Sequence, residues 1–121
     1  MANNKDLLIK NPIETNGNID VTVGTVSGAT LDLSTGNYFK HTMTAATTYV
    51  FSNPGDGQMF HLEITGGGDY AITWPTTVYW SSGAVPYAPN DLDQDIWTFI
   101  TRDGGTTYLG VRSVNAFAAT A

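Results

Sequence analysis

Three aspartates at alternate positions, Asp91, Asp93 and Asp95, are the best candidates in this sequence for holding a metal ion, because alternate carboxylates in a loop can converge on calcium. An EF-hand loop starting at Asp91 would need Gly at its sixth position and a bidentate Glu at its twelfth. Those positions hold Ile96 and Arg102, so the EF-hand reading fails and a solvated acidic loop is expected. His41 and His61 are the two histidines, and there is no cysteine. A zinc centre or a histidine base therefore has few parts to be built from. His41 shares its alternation phase with Phe39 and Met43, which reads as a satisfied core or interface histidine. Ser-His-Asp chemistry would need a nucleophile on a strained elbow, and no G-x-S-x-G occurs. Gly66-Gly67-Gly68 leads into Tyr70-Ala71-Ile72-Thr73-Trp74, a strand pattern. A phosphate cradle would lead into a helix, so this is a turn. The chain is expected to be non-enzymatic, with no cofactor, metal site or catalytic residue.

Aromatic side chains are the remaining candidates for a site. Trp74 and Trp97 fit strand alternation and are expected in the core. Tyr79, Trp80 and Tyr87 lie near a long irregular connection over residues 75–95. Three roles stand open for them: packing under that loop, anchoring a subunit interface, or stacking on a sugar.

Strands must position all of these groups, since no helical periodicity is present. Leu31 and Leu33 alternate on one face, as do Phe39, His41 and Met43, then Tyr49 and Phe51. Phe60, Leu62 and Ile64 alternate with Met59, His61 and Glu63, and this is the clearest half-buried strand. Tyr70, Ile72 and Trp74 alternate on the next, which Pro75 ends. Of all these, Phe60, Leu62, Ile64, Ile72 and Trp74 are expected to be the most buried. Turns fall at Thr35-Gly36-Asn37 and at Asn53-Pro54-Gly55-Asp56-Gly57, whose two glycines allow φ > 0. Asp103-Gly104-Gly105 separates the last two strands, residues 95–102 and 106–114, as a hairpin. Six to eight such strands predict an all-β fold, a single antiparallel β-sandwich or jelly-roll-like domain over residues 29–117.

Before that domain, residues 1–28 carry only short apolar groups, Leu7, Leu8 and Ile9, then Ile19, Val21 and Val23. These read as an extended N-terminal arm that binds a partner, or adds as a strand to a sheet edge. Residues 118–121 form a short tail. The net charge of −6 and five scattered basic residues argue against nucleic acid as a partner. Leu7-Leu8-Ile9 is too short a run for a signal peptide or membrane span. Only 13% of residues are charged, against about 25% in ordinary domains, so Thr-, Ser- and Asn-rich surface can be covered with little charge desolvation.

From Gly36 to Phe117 the order of elements resembles a β domain common in bacteriophage structural proteins. The residues that carry the likeness are Phe39 with Thr42, Thr48-Tyr49-Val50-Phe51-Ser52-Asn53, Gly57-Gln58-Met59-Phe60-His61-Leu62, Ile72-Thr73-Trp74-Pro75, Val78-Tyr79-Trp80, Gly83, Pro86 and Asp103-Gly104-Gly105. The chain looks like domains of phage tail fibres, head fibres and small capsid decoration (cement) proteins. The resemblance implies a virion structural role, often as a homotrimer, and carries over no catalytic residue. One β domain with an arm suits a decoration protein that binds the major capsid protein or other virion subunits, assembled in the host cytoplasm. The alternative is a tail-tip or head-fibre module that binds a host-surface glycan through Tyr79, Trp80 and Tyr87.

Overall fold

The computed structural model describes residues 20–86 and 94–118. They form an all-β body whose only helical element, among the described residues, is a 3-10 turn at Ser81–Gly83. Ten strands follow in order: β1 Val23–Thr25, β2 Thr30–Asp32, β3 Tyr38–Thr42, β4 Thr47–Thr48, β5 Val50–Ser52, β6 Gln58–Thr65, β7 Ile72–Thr73, β8 Val78–Trp80, β9 Gln94–Thr101 and β10 Tyr108–Phe117. Six of them build one sheet in the order β1-β3-β6-β9-β10-β8. Two small ribbons, β2-β5 and β4-β7, complete the body.

The expected antiparallel pairing is corrected here. Among the described residues, five of the seven strand pairings are parallel, and β6-β9 and β9-β10 are antiparallel. The turns near residues 36 and 54 are therefore not hairpin turns. After β3 the chain runs through β4 and β5 and returns as β6 beside β3, pointing the same way. Parallel neighbours need a crossover of about a dozen residues or more, and residues 43–57 supply it. Thr30 pairs with Val50, Tyr38 with His61 and Thr47 with Ile72, so one circuit of this coil takes 20 to 25 residues. The stretch read as one strand around Tyr49 and Phe51 switches partners at Tyr49, from β7 on one side to β2 on the other. The hairpin at residues 103–105 does form. A Cβ on Gly105, at φ +91°, would fall 2.6 Å from Pro54 Cγ, so both conformation and space require glycine there. In the earlier turn the left-handed residue is Asn53, at φ +55°, and neither Gly55 nor Gly57 has a positive φ. Asparagine tolerates that region, and the Asn53 amide donates to Asp32 Oδ1 at 3.1 Å.

The sheet also reaches into the segment read as an arm over residues 1–28. Val23–Thr25 pairs with β3 and Val26 is buried, so the folded body starts before residue 29. Inside, Phe60, Leu62, Ile64, Phe99 and Trp97 are sealed from solvent, and Trp74 is 9% exposed. Ile72 is half-buried, because β7 belongs to a two-stranded ribbon and not to the main sheet. Aromatic rings interlock through this interior. Trp74 stacks on Tyr49 with centroids 5.3 Å apart and tilts against Trp97 at 4.8 Å. Phe51 stands edge-on to Phe60 and Tyr108.

Candidate functional site

The main sheet has one face in the core and one in solvent, and alternation sorts the side chains between them, interrupted in β10 by register shifts between Arg112 and Val114 and between Val114 and Phe117. Phe60, Leu62 and Ile64 of β6 point in, as do Trp97 and Phe99 of β9 and Tyr108 of β10. The opposite phase should be polar. It is polar in the middle and apolar at one end. Met59 is registered with Ile100, Ile100 with Leu109 and Leu109 with Tyr79, a straight row across β6, β9, β10 and β8. These four are 52%, 38%, 40% and 61% exposed. Of ten large hydrophobic residues exposed among the described residues, seven lie on this face: the four of the row, with Val23, Val111 and Val114. Directly opposed side chains in a sheet sit about 4.5–5.5 Å apart at Cβ, so the row is continuous apolar surface. A shallow depression of about 390 Å³ runs along it toward Thr98 and Val111.

The next row runs Val23, Tyr38, His61, Thr98 and Val111. Its hydrogen bonds have one consistent direction. The Ser113 hydroxyl lies 3.0 Å from the Ile96 carbonyl, which can only accept, so Ser113 spends its single proton there. Thr98 Oγ1, 2.8 Å from Ser113 Oγ, must then donate to it. That leaves Thr98 to accept from His61 Nδ1 at 2.8 Å. His61 therefore carries its proton on Nδ1 and, when neutral, presents the Nε2 lone pair outward. A nucleophile needs the reverse wiring, with the imidazole taking the hydroxyl proton. This trio positions His61 and does not activate Ser113. Beyond it, the Tyr38 hydroxyl donates to Glu63 Oε1 at 2.8 Å. Burial, then that carboxylate, raise the Tyr38 phenol to about 12. Lys40 is registered beside Glu63 in the third row.

His41 points the other way, into the core, with Nδ1 2.7 Å from the Tyr49 hydroxyl. Desolvation holds the imidazole below its ordinary value and pushes the Tyr49 phenol up. The two histidines lie on opposite faces of one sheet and share no site. Asp95 also departs from expectation. It lies in β9, where the strand read over residues 95–102 had it, but it is not solvated: it is 1% exposed, and its Oδ1 accepts from the Ala116 backbone N–H at 2.7 Å. That bond anchors the end of β10, where Ala116 has φ +50°. Asp91 and Asp93 lie outside the described residues, and no trio of metal-ligating side chains gathers among those that are described.

Of the surface aromatics, Tyr79 is exposed, whereas Trp80 turns inward and meets Trp74, Trp97 and Phe99 edge-on. Tyr87 lies outside the described residues, as do Leu7, Leu8, Ile9 and Ile19. Val21 is exposed, and Val23 shares the outward face with the apolar row. Sequence reasoning missed Met59, Ile100, Leu109 and Val111. A signal was present at two of them: Met59 and Ile100 stand out of phase with the buried residues of their own strands. Comparison with protein-family models, with curated proteins and with solved structures gives no match.

Proposed function

We propose that this chain is a non-enzymatic structural subunit of a virus particle, a decoration protein that binds the outside of a capsid shell as a homotrimer. The observation that carries this is the outward sheet face, where seven of the ten large hydrophobic residues exposed among the described residues collect around a row that crosses four strands. Soluble monomers rarely leave such a patch in water, and patches of this kind mark interaction sites. The low charge density and the resemblance to phage structural domains point the same way. The N-terminal segment with Leu7, Leu8, Ile9, Ile19 and Val21 is assigned to the shell. Closed symmetry limits growth, where an open edge-to-edge array would not stop. A subunit that binds only the assembled shell stabilises it by mass action, about 2.7 kcal/mol per site at a hundredfold excess over Kd.

Glycan binding is the weaker reading. A sugar platform wants exposed rings flanked by polar groups, and here Trp80 is turned inward while Tyr79 stands beside Leu109. The test is to mix the chain with particles that lack it and, separately, with host cells. Sedimentation with the particles is expected. Sedimentation with cells alone, abolished by free sugar, overturns the assignment in favour of the glycan module.

A further inference from the structure

We infer that the outward face of the six-stranded sheet is where a second copy of this chain docks, with the Met59-Ile100-Leu109-Tyr79 row at the centre of the contact and His61 as its polar landmark. This rests on the structural-subunit reading for its purpose, and names the surface that reading leaves open.

The choice of a second copy follows from charge. The chain carries a net charge of −6, so two copies repel across most of their surfaces. Seven carboxylates belong to described residues: Asp20, Asp32, Asp56, Glu63, Asp69, Asp95 and Asp103. Of these, Glu63 alone stands on the outward face, and Lys40 is registered beside it. Among the described residues the face is therefore neutral, on a strongly acidic chain. A cationic partner would be drawn to the turns that hold Asp56, Asp69 and Asp103, and not here. Between two copies of this acidic chain, this low-charge apolar face is where approach meets the least repulsion. Residue types agree: interface centres favour Tyr and Met and are depleted in Asp, Glu and Lys. The Lys40-Glu63 pair is also self-complementary, since the Lys of one copy can meet the Glu of another.

His61 fits a covered position. Its Nδ1 proton is held by Thr98, Thr98 by Ser113, and Ser113 by the Ile96 carbonyl, so the ring is fixed before any partner arrives. Only Nε2 is left to face the incoming copy. Its nitrogen signal reports coverage of this face without any substitution.

Light scattering of the isolated chain at micromolar concentration should give a multiple of 13.0 kDa. Leu109→Asp and Ile100→Asp should each reduce the mass to that of one chain while the far-UV β signal is kept. Val85→Asp is the control, because Val85 is more exposed than either and lies off the sheet. It should leave the mass unchanged. A native chain that stays at 13.0 kDa overturns the inference, and so does a Leu109→Asp chain that keeps the native mass. If the face variants unfold, the native chain decides: the His61 Nε2 signal should move on dilution. No movement across the range in which the mass changes places the contact elsewhere and overturns the inference. Failure here is distinct from failure of the proposed function. A monomer that still sediments with particles refutes only the self-contact, and an oligomer that ignores particles refutes only the shell.

Discussion

Replacing Gly110 by Ala asks whether the sheet face is held from behind by close ring packing. Gly110 lies between Leu109 and Val111 on β10, with its own inner side against two rings. A Cβ there would stand 2.9 Å from Phe99 Cε1, 3.0 Å from Phe99 Cδ1 and 2.9 Å from Trp80 Cζ3. Carbon atoms rest at about 3.5–4.0 Å, so a ring would have to retreat by roughly half an ångström or more. Phe99 has little room to do so: it is sealed from solvent, stacked on Phe60 at 5.3 Å and against Phe51 at 5.0 Å. Overpacking of this kind destabilises by about 1–3 kcal/mol. Against it, Ala restricts the unfolded chain and stabilises by about 0.4–1 kcal/mol where the backbone suits it. The backbone does suit it, since Gly110 is not among the residues with positive φ. The clash outweighs that gain, and Gly110→Ala should lose about 1–2 kcal/mol in urea unfolding with an unchanged slope. The loss should shrink in a Trp80→Leu background, because one of the two rings is then gone. A Gly110→Ala chain as stable as the native one would refute the reasoning.

Trp74→Ala should lose roughly 3–5 kcal/mol in the same assay, because Tyr49, Trp80 and Trp97 all pack on its ring. A loss under about 1 kcal/mol would mean that the aromatic interior closes over the gap. Tyr49→Phe removes the hydroxyl that pairs with His41 Nδ1 and should lose about 1–3 kcal/mol. Burial depresses His41 below its ordinary value of 6.5, so between the unfolded and folded values the unfolded chain binds a proton that the folded chain refuses. Stability should therefore fall as pH drops through that window, by at most about 1.4 kcal/mol per pH unit, and His41→Gln should flatten the slope. An unchanged slope in His41→Gln would assign the acid sensitivity to other groups. Chelator treatment should leave the Tm unchanged; a fall of many degrees that calcium restores would instead make Asp91 and Asp93 structural ligands.

Alternation made the strands legible, and with them the inward set of Leu31, Phe39, Phe60, Leu62, Ile64 and Trp97. It said nothing of neighbours. A period of two fixes which way Phe39 points, but it is the same whether β6 lies parallel or antiparallel to β3. Turn residues marked bends at 35–37 and 53–57 in a fold expected to be antiparallel, yet the chain uses those bends to circle round the body, and coiling sets Leu31 beside Phe51 and Phe39 beside Leu62. Asp95 stood in two readings, last of three loop carboxylates and first residue of the strand over 95–102, and its burial at 1% opposite Ile64 decides for the strand. Trp80 could not be told from Tyr79 until β8 was seen to lie beside β10, which turns one ring inward and the other outward. The apolar row was hidden for the same reason. Its members come from four strands spread over residues 59–109, and only register brings them into line.

Met59 allows the most direct measurement, because it stands at one end of the row, half exposed, while Met43 is buried at 4%. The side chains should be oxidised by a brief pulse of hydroxyl radicals, in particle-bound protein and in the monomeric Leu109→Asp chain, with the yield read at each methionine. If the outward face is the contact surface, Met59 is shielded in the assembly nearly as well as Met43 and becomes reactive in the monomer. Equal and rapid oxidation of Met59 in both states would contradict the account.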